Sequence, residues 1–416
     1  MGSMRAFPTL LVCAALLVVS GAQGAAVERT LDVDVPEVDG GAGAALPPAA
    51  ARAKALKAQH LAAGRVAAAA KAPGAAKTVS VDCTKGQSIQ AALDSNAGPL
   101  VVEVQGVCQE NVRVERRSGV TLRGADPATD GIQGVAAAPQ PAAALEILYS
   151  DGVAVENLSV SGGPGAGVGI WFSHVTMASC RSVGNAGSGL HVSSNSSLNA
   201  VELTLSENGG RGMQVQRGAV AFCTGCTLED NAGFVAAATF GAVLSLVDSV
   251  ATGQRGLFST LESYADVDCV TGGTGHPCGL TAPFRAAHAL NAGTVALFGA
   301  GDFSGQLQAS DRSHVYVLGS RQVAVGTFNG SPIPNRVSAF STLTAEPFDD
   351  GLGTEHQSKL LGQTHVSSFS RALLLGATEL EGTLACDSAG DAWADGVVLA
   401  PGSSITGCEH APPPAP

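Results

Sequence analysis

A short motif recurs at a fixed interval in the middle of this 416-residue chain. Asn185-Ala-Gly187, Asn208-Gly-Gly210 and Asn231-Ala-Gly233 follow one another at a spacing of 23 residues. A constant period in the low twenties is typical of solenoid proteins, in which each repeat forms one coil. Apolar and polar residues alternate around the motifs, as in Leu190-His-Val192 and Leu203-Thr-Leu205. This alternation predicts two or three short strands per coil, with every second side chain directed inward.

Leucine-rich and ankyrin repeats have similar periods, but the pattern does not fit them. The repeats lack leucines at fixed offsets, and within them glycine and β-branched residues interrupt any ten-residue helical stretch. The 53 glycines and the aromatic content of 4% agree instead with short strands and tight turns. Coils stacked about 4.8 Å apart would place Asn185, Asn208 and Asn231 one above another, as a structural ladder of bonded amides.

Order is expected to begin near Thr78, because Val79 and Val81 alternate with polar residues. The segment Ser88-Ile-Gln-Ala-Ala-Leu-Asp94 predicts a short helix with Ser88 at its N-cap. A helix here has a structural role, because the first coil of a solenoid exposes an open core and unpaired strand edges.

Three segments carry a resemblance to a known superfamily: Ser88-Ile-Gln-Ala-Ala92, Gly106-Val-Cys-Gln-Glu-Asn-Val112 and Gly119-Val-Thr-Leu-Arg-Gly124. They resemble the opening of the pectin-lyase-like β-helix proteins, including NosD-type β-helix repeat proteins and pectin methylesterases. The resemblance implies an all-β, right-handed parallel β-helix from Val79 to about Leu280, and it is weaker beyond. It implies no specific enzyme family, since this scaffold hosts lyases, hydrolases, esterases, epimerases and non-catalytic adhesins.

Composition divides the chain into four parts. Arg5 and the apolar stretch 7–19 predict a signal peptide over residues 1–24. Residues 25–77 are rich in Ala and Pro and predict a flexible linker. The β-helix is expected over residues 78–410, followed by a Pro-rich tail, 411–416. The protein is therefore expected to be secreted to the periplasm, the cell surface or the medium, and the Ala-rich composition favours a bacterial source.

The ten cysteines suit an oxidising compartment. Three local pairs are predicted to form disulfides, because each closes a short loop. Cys180 and Cys226 fall in one column two coils apart, about 9.6 Å by the strand spacing. This separation exceeds the roughly 7 Å limit for a disulfide, so both are predicted to face the core, with Cys180 unpaired. The pairing of Cys223 with Cys226 stays open. The three predicted disulfides are Cys83 with Cys108, Cys269 with Cys278, and Cys386 with Cys408.

The register assigns the residues after each Asn-x-Gly turn to one outer face, which is a candidate polysaccharide-binding surface. Its side chains are mainly small and neutral. We expect the following residues to contact a substrate there: Trp171, Ser173, His191, Ser193, Gln214 and Gln216.

Signatures of the enzymes on this scaffold are missing at the matching positions. Ser188 and Arg211 stand where polygalacturonases carry acids, and Ser173 stands where pectate lyases carry an Asp ligand for calcium. No metal site or cofactor is therefore expected. Glu262, Asp266 and Asp268 near His276 are interpreted as solvated charges, and His174 and His191 as surface histidines.

Two functional hypotheses follow. The first is a non-catalytic polysaccharide-binding or cell-surface module. The alternative is a polysaccharide lyase, hydrolase or epimerase with its site in the loops 299–356, where the repeat is lost. The residues that gather there in the sequence are Asp302, Asp311, Arg312, His314, Asp349, Asp350 and His356.

The net charge, the hydropathy and the two ends of the solenoid indicate which partners the protein is expected to lack. The net charge of −12 without a basic block argues against nucleic acid. No stretch beyond the signal approaches the roughly 20 apolar residues of a transmembrane helix. A monomer is expected, because the capping helix and the loop between Cys386 and Cys408 would block stacking of solenoids end to end.

Overall fold

A computed structural model describes residues 76–136, 142–269, 278–299, 301–339, 341–349, 355–368, 370–387 and 390–408. The predicted signal peptide and tail and nearly all of the predicted linker lie outside these ranges.

The described chain winds into a parallel β-solenoid of about 13 turns, which confirms the predicted all-β fold class. One 14-stranded sheet, sheet one, runs the length of the solenoid, and each strand pairs in parallel with its counterpart in the next coil. Its strands are Lys77–Asp82, Leu100–Gln105, Val120–Gly124, Val153–Glu156, His174–Ala178, Ser197–Val201, Val220–Thr224, Val243–Val247, Tyr264–Asp268, Thr294–Phe298, His314–Leu318, Thr342–Glu346, Arg371–Leu375 and Asp391–Asp395.

The 22-stranded second sheet, sheet two, consists of two parallel tracks that meet at a corner. The first track contains Val107–Gln109, Gly131–Gln133, Ser159–Ser161, Arg181–Val183, Thr204–Ser206, Thr227–Glu229, Val250–Thr252, Arg321–Ala324 and Val398–Leu399. The second track contains Val112–Glu115, Ala143–Leu148, Ala166–Trp171, Leu190–Ser193, Met213–Gln216, Phe234–Thr239, Arg255–Thr260, Asn335–Val337 and Ser404–Thr406. Four longer strands run through both tracks: Gly279–Leu290, Asp302–Ala309, Lys359–Val366 and Glu379–Cys386.

Two small antiparallel hairpins project from the later coils. One pairs Gly326–Phe328 with Ser331–Ile333, and the other pairs Phe348–Asp349 with Glu355–His356. Both interrupt the regular spacing of the coils between residues 299 and 356.

Columns of apolar side chains fill the interior of the solenoid. In sheet one Val155, Met177, Ala200, Cys223 and Leu246 are paired from coil to coil, and all five are buried. The neighbouring positions point outward, as the alternation predicts.

A short helix covers the N-terminal end. It spans Ile89–Asp94, with the hydroxyl of Ser88 accepting a hydrogen bond from the Ala91 amide. The carboxylate of Glu110 accepts hydrogen bonds from the Ser88 hydroxyl and the Ile89 amide, both at 2.7 Å. The guanidinium of Arg117 donates to the carbonyl of Leu93 at 2.8 Å, near the other end of the helix. Side chains of the following coil therefore hold both ends of the helix.

The three asparagines form a buried vertical ladder at the corner between the two tracks. The Asn185 side-chain amide donates to Asn208 Oδ1 at 2.9 Å, and that of Asn208 donates to Asn231 Oδ1 at 2.8 Å. The backbone amides of Asn185 and Asn208 donate to the same two oxygens. Each asparagine thus satisfies the polar groups of the turn in the coil before it.

A second ladder, built from serines, lies in the turn that enters sheet one. The amide of Ser150 donates to Ser173 Oγ at 3.0 Å, and the amide of Ser173 donates to Ser196 Oγ at 3.2 Å. The same bond links Ser313 to Ser341 in a later coil. This ladder was not predicted from the sequence, although Ser150, Ser173 and Ser196 follow one another at the same 23-residue spacing as the asparagines.

The structure contains disulfides between Cys83 and Cys108, Cys269 and Cys278, and Cys386 and Cys408. Cys223 and Cys226, whose pairing the sequence left open, are also bonded. Cys180 is a free, buried thiol in the column expected for it, and burial raises its pKa to about 11. At neutral pH this thiol is therefore protonated and unreactive.

Replacing Asn208 with Ala should destabilise the solenoid by about 2–4 kcal/mol, because two buried donors of Asn185 lose their acceptor. Urea denaturation should show a lower midpoint with an unchanged slope. The matched control is Asn199→Ala on the half-buried outer face of sheet one, expected to change stability by less than about 0.5 kcal/mol. Equal losses in both variants would contradict a stabilising role for the ladder.

Candidate functional site

The outer face of the second track contains a bonded cluster of four residues expected from the sequence, here called the upper cluster: Trp171, His191, Gln214 and Gln216. Pairing aligns Trp171, Ser193 and Gln216 in one column and His191 with Gln214 in the next. Gln216 Nε2 lies 2.8 Å from His191 Nε2, and Gln214 Nε2 donates to Gln216 Oε1 at 3.1 Å. The indole of Trp171 meets the His191 ring edge-on at 5.5 Å.

Gly169 makes room for this indole. It occupies the outward position that pairs with His191, and a Cβ atom there would collide with the Trp171 ring. The ring therefore lies across the strand and presents a flat apolar surface. Burial lowers the pKa of His191, and the charges of Arg217 and Arg211 lower it further, so its ring is neutral at pH 7 and accepts from Gln216.

Ser173 and Ser193, which were expected on the same face, are fully buried. The strand ends at Trp171, and Phe172 adopts a left-handed φ of 50°, which turns Ser173 inward. Its hydroxyl then donates to the Trp171 carbonyl at 2.7 Å within the serine ladder. The prediction that Ser173 lies on the outer face was wrong. Ser193 lies in the outward-facing column, but its side chain is not exposed to solvent.

A second cluster, not predicted from the sequence, lies farther along the same track and is here called the lower cluster: Phe234, Arg255, Phe258, Phe284, Arg285, His288 and Phe328. Phe234 and Phe258 stack with ring centroids 4.8 Å apart, and Phe258 lies 5.1 Å from the ring of His288. Phe328, on the first hairpin, packs against Phe284 at 5.5 Å. The hairpin thus contributes an aromatic ring to the face.

Two arginines lie among these rings. The guanidinium of Arg255 sits 5.7 Å from the ring centroid of Phe234 and 5.8 Å from that of Phe284. Arg285 lies over Phe284 at 5.0 Å, donates to Gln306 Oε1 at 3.3 Å, and has its Nη1 3.0 Å from His288 Nδ1. Stacking of this kind positions a guanidinium while leaving donors available for a ligand.

The lower cluster was missed because the register changes where the two tracks join. Phe234 pairs with Arg255 and then with Arg285, whereas Phe258 pairs with His288. In the next coil a single strand, Gly279–Leu290, replaces the two short strands and the corner between them. A column extrapolated from the sequence in steps of 23 residues therefore predicts the wrong side chains for this part of the face.

The two clusters belong to one continuous face. His191, Gln214, Ala237, Phe258 and His288 are paired in one column over four coil steps, about 19 Å by the strand spacing. The column's strands contain no Asp or Glu. These strands are Leu190–Ser193, Met213–Gln216, Phe234–Thr239, Arg255–Thr260 and Gly279–Leu290.

The residues of the alternative catalytic site do not gather where the structure describes them. Asp302 pairs with Arg321 at 2.8 Å on sheet two. Asp311 and Arg312 lie in a turn, and His314 lies beside Tyr316 on sheet one. Asp350 lies outside the described residues, and Asp349 and His356 belong to the second hairpin.

The remaining candidates are also dispersed. His174 pairs with exposed Asp151 at 3.2 Å. The Tyr264 hydroxyl donates to the buried Asp266 at 3.2 Å, so interpreting Asp266 as a solvated charge was wrong. Glu262 lies in a turn, and His276 lies outside the described ranges. Within those ranges no three His, Cys, Asp or Glu side chains form a group that could hold a metal ion.

In the described part of the chain, no helix has the length and apolar character needed to cross a bilayer.

Residues 102–248 match the family model described as a right handed beta helix region. This stretch is a right-handed β-helix. No curated protein matches the chain by sequence. The resemblance inferred from the opening motifs is therefore confirmed at the level of the β-helix.

Several solved structures are similar to this chain at low sequence identity and low TM-score. Pectin methylesterase PemA from Erwinia chrysanthemi is 12% identical, with a TM-score of 0.38, covering 63% of this chain and 92% of that chain. The A-module of mannuronan C-5 epimerase AlgE4 from Azotobacter vinelandii is 12% identical, with a TM-score of 0.35 and coverages of 78% and 94%. The catalytic unit of a GH87 alpha-1,3-glucanase from Streptomyces thermodiastaticus is 14% identical, with a TM-score of 0.32 and coverages of 82% and 70%. Values this low carry no information about activity.

The lower cluster predicts a pH-dependent stability. Burial, followed by the charges of Arg285 and Arg255, lowers the pKa of His288 from 6.5 to about 4. Between these pH values the unfolded chain binds a proton that the folded chain does not, so stability falls as the pH decreases from 6.5 to 4. Thermal melting at pH 7 and pH 4.5 should show a smaller loss of Tm for His288→Gln than for the unmodified protein.

The control for this experiment is His174→Gln, which removes an exposed histidine on sheet one. It should keep the pH dependence of the unmodified protein. If His288→Gln shows the same loss of Tm as the control, His288 does not titrate as inferred.

Proposed function

We propose that this protein is a secreted, non-catalytic module that binds polysaccharide along the outer face of the second track. The observation that carries the proposal is the continuous face from Trp171 to His288, with aromatic rings and amide side chains in register. The fold is shared with polysaccharide-active enzymes, and that fact alone specifies no function.

The chemistry of the face suits sugars. A pyranose ring offers apolar C–H faces that stack on aromatic rings, and hydroxyl groups that exchange hydrogen bonds with amides. Trp171 and Phe258 supply the rings, and Gln214 and Gln216 supply the amides. Because the side chains come from successive coils, an extended chain following the solenoid axis would meet them in sequence.

The same face gives the reason for favouring binding over hydrolysis. Glycoside hydrolysis generally requires two carboxyl groups that flank the scissile bond. The five strands that build the face contain none. We therefore assign the face to recognition.

The proposed location rests on the disulfides. Four disulfide bonds lie in the described part of the chain. Such bonds persist in oxidising compartments and are rare in the cytosol. They favour an extracytoplasmic protein, in agreement with the signal peptide expected over residues 1–24.

Trp171→Ala and Phe258→Ala should each weaken polysaccharide binding by about ten-fold, because each removes a stacking surface. Affinity electrophoresis against a panel of acidic and neutral polysaccharides measures the loss. The chain has two tryptophans, and Trp393 is 52% exposed on sheet one, which makes Trp393→Ala the matched control. In a Trp393→Phe variant, Trp171 is the sole indole, so its fluorescence should report binding at the face directly.

Two results would argue against the proposal. One is an equal loss of binding in the Trp393→Ala variant, which would show that binding does not depend on the outer face of the second track. The other is turnover in reducing-end or double-bond assays on the same panel.

A further inference from the structure

The lower cluster holds two positive charges that have no negative partner in the described chain. Neither Arg255 nor Arg285 has an ion pair with an Asp or Glu among the described residues, and the polar partners of Arg285 are the neutral side chains of Gln306 and His288. Some arginines of the surface do have such a partner, as Arg123 has Glu156 at 2.6 Å and Arg321 has Asp302 at 2.8 Å. The lower cluster is distinguished by two guanidiniums without an ion pair that both lie over one ring, that of Phe284.

The two guanidiniums lie close enough to repel each other. Both contact the ring of Phe284, and Arg285 is half-buried. Burial lowers the pKa of Arg285, and the charge of Arg255 lowers it further. Repulsion between two like charges on the same ring lowers the stability of the folded protein unless an anion binds between them. The protein as a whole carries a net charge of −12, yet Arg255–Thr260 and Gly279–Leu290, the strands that hold these arginines, contain no acid, and Asp302 of the next strand is paired with Arg321.

We propose that Arg255 and Arg285 form an anion-binding site that selects acidic sugars, through either a uronate carboxylate or a sulfate ester. This inference rests on the proposed function and specifies the ligand class of the same face. The stacked rings of Phe234 and Phe258 contact the apolar side of the sugar, while the guanidiniums bind its charged group.

The geometry suits oxyanions in particular. A guanidinium presents N–H donors in a planar fork that matches two oxygens of a carboxylate or sulfate. Stacking on Phe284 orients both forks before the ligand arrives, which lowers the entropy lost on binding. The side chains of the upper cluster are themselves neutral, and the nearest positive charges that act on them are those of Arg217 and Arg211. Only the lower cluster holds its guanidiniums against the aromatic rings of the face.

The test compares charged and uncharged forms of one polymer backbone. Polygalacturonate is paired with its fully methyl-esterified form for the carboxylate arm, and dextran sulfate is paired with dextran for the sulfate arm. The unmodified protein should bind the charged member of at least one pair ten-fold more tightly or better. In Arg255→Gln/Arg285→Gln this preference should fall on the order of ten- to hundred-fold.

Controls separate charge from folding. Arg181→Gln removes an exposed arginine of the first track and should keep the full preference. Circular dichroism and thermal melting check that the double variant is folded. Arg255→Gln alone changes only the more exposed guanidinium and should lose part of the preference for charged polymers. It provides the measurement if the double variant does not fold.

The outcomes distinguish this inference from the proposed function. Equal affinity for charged and uncharged polymers, still sensitive to Trp171→Ala, would reject the anion site and retain polysaccharide binding. A rise in Tm with millimolar sodium sulfate that is larger than the rise with sodium chloride at equal ionic strength, and larger than the rise in the double variant, tests the anion site without any polymer. That rise without binding to any polysaccharide would retain the anion site and reject the proposed function. A double variant that keeps the full preference for charged polymers would overturn the inference.

Discussion

Parallel hydrogen bonding between successive coils is the interaction on which the rest of this structure depends. It fixes each coil about 4.8 Å from the next and aligns side chains into columns. The ladder of Asn185, Asn208 and Asn231 and the serine ladder through Ser173 hold that alignment at two corners of the coil. A shift by one residue would exchange inner and outer side chains, so these buried polar bonds also fix which residues reach the binding face.

The corner between the second track and sheet one carries large residues in a conformation that usually favours glycine. Arg116, Tyr149, Phe172 and Phe240 all have φ between 49° and 57°. Such a conformation costs roughly 1–2 kcal/mol for a residue with a side chain. Part of this is offset where Tyr149 and Phe172 stack at 4.9 Å and Arg116 covers the Tyr149 ring. The corner thereby exposes aromatic surface beside the face that we assign to sugar binding.

The sequence allowed the fold to be predicted because periodic residues report it directly. The spacing of Asn185, Asn208 and Asn231 gave the coil length, and Ser88 marked the start of the capping helix. The site was harder to predict, because whether a side chain points outward depends on the residue at which its strand ends. Ser173 follows a left-handed residue and turns inward, which alternation alone cannot show. Arg285 reaches the face only because one long strand replaces two strands and a corner, a change that leaves no periodic signal.

The constant separation of the ladder asparagines has a consequence for how such a protein can evolve. Each coil contributes its own face residues and bonds mainly to its two neighbours, so duplicating one whole repeat would lengthen the surface without disturbing the coils on either side. A lineage could therefore match the length of its ligand by gene-internal duplication. It could change the charge at one end of the surface by substituting residues within a single repeat.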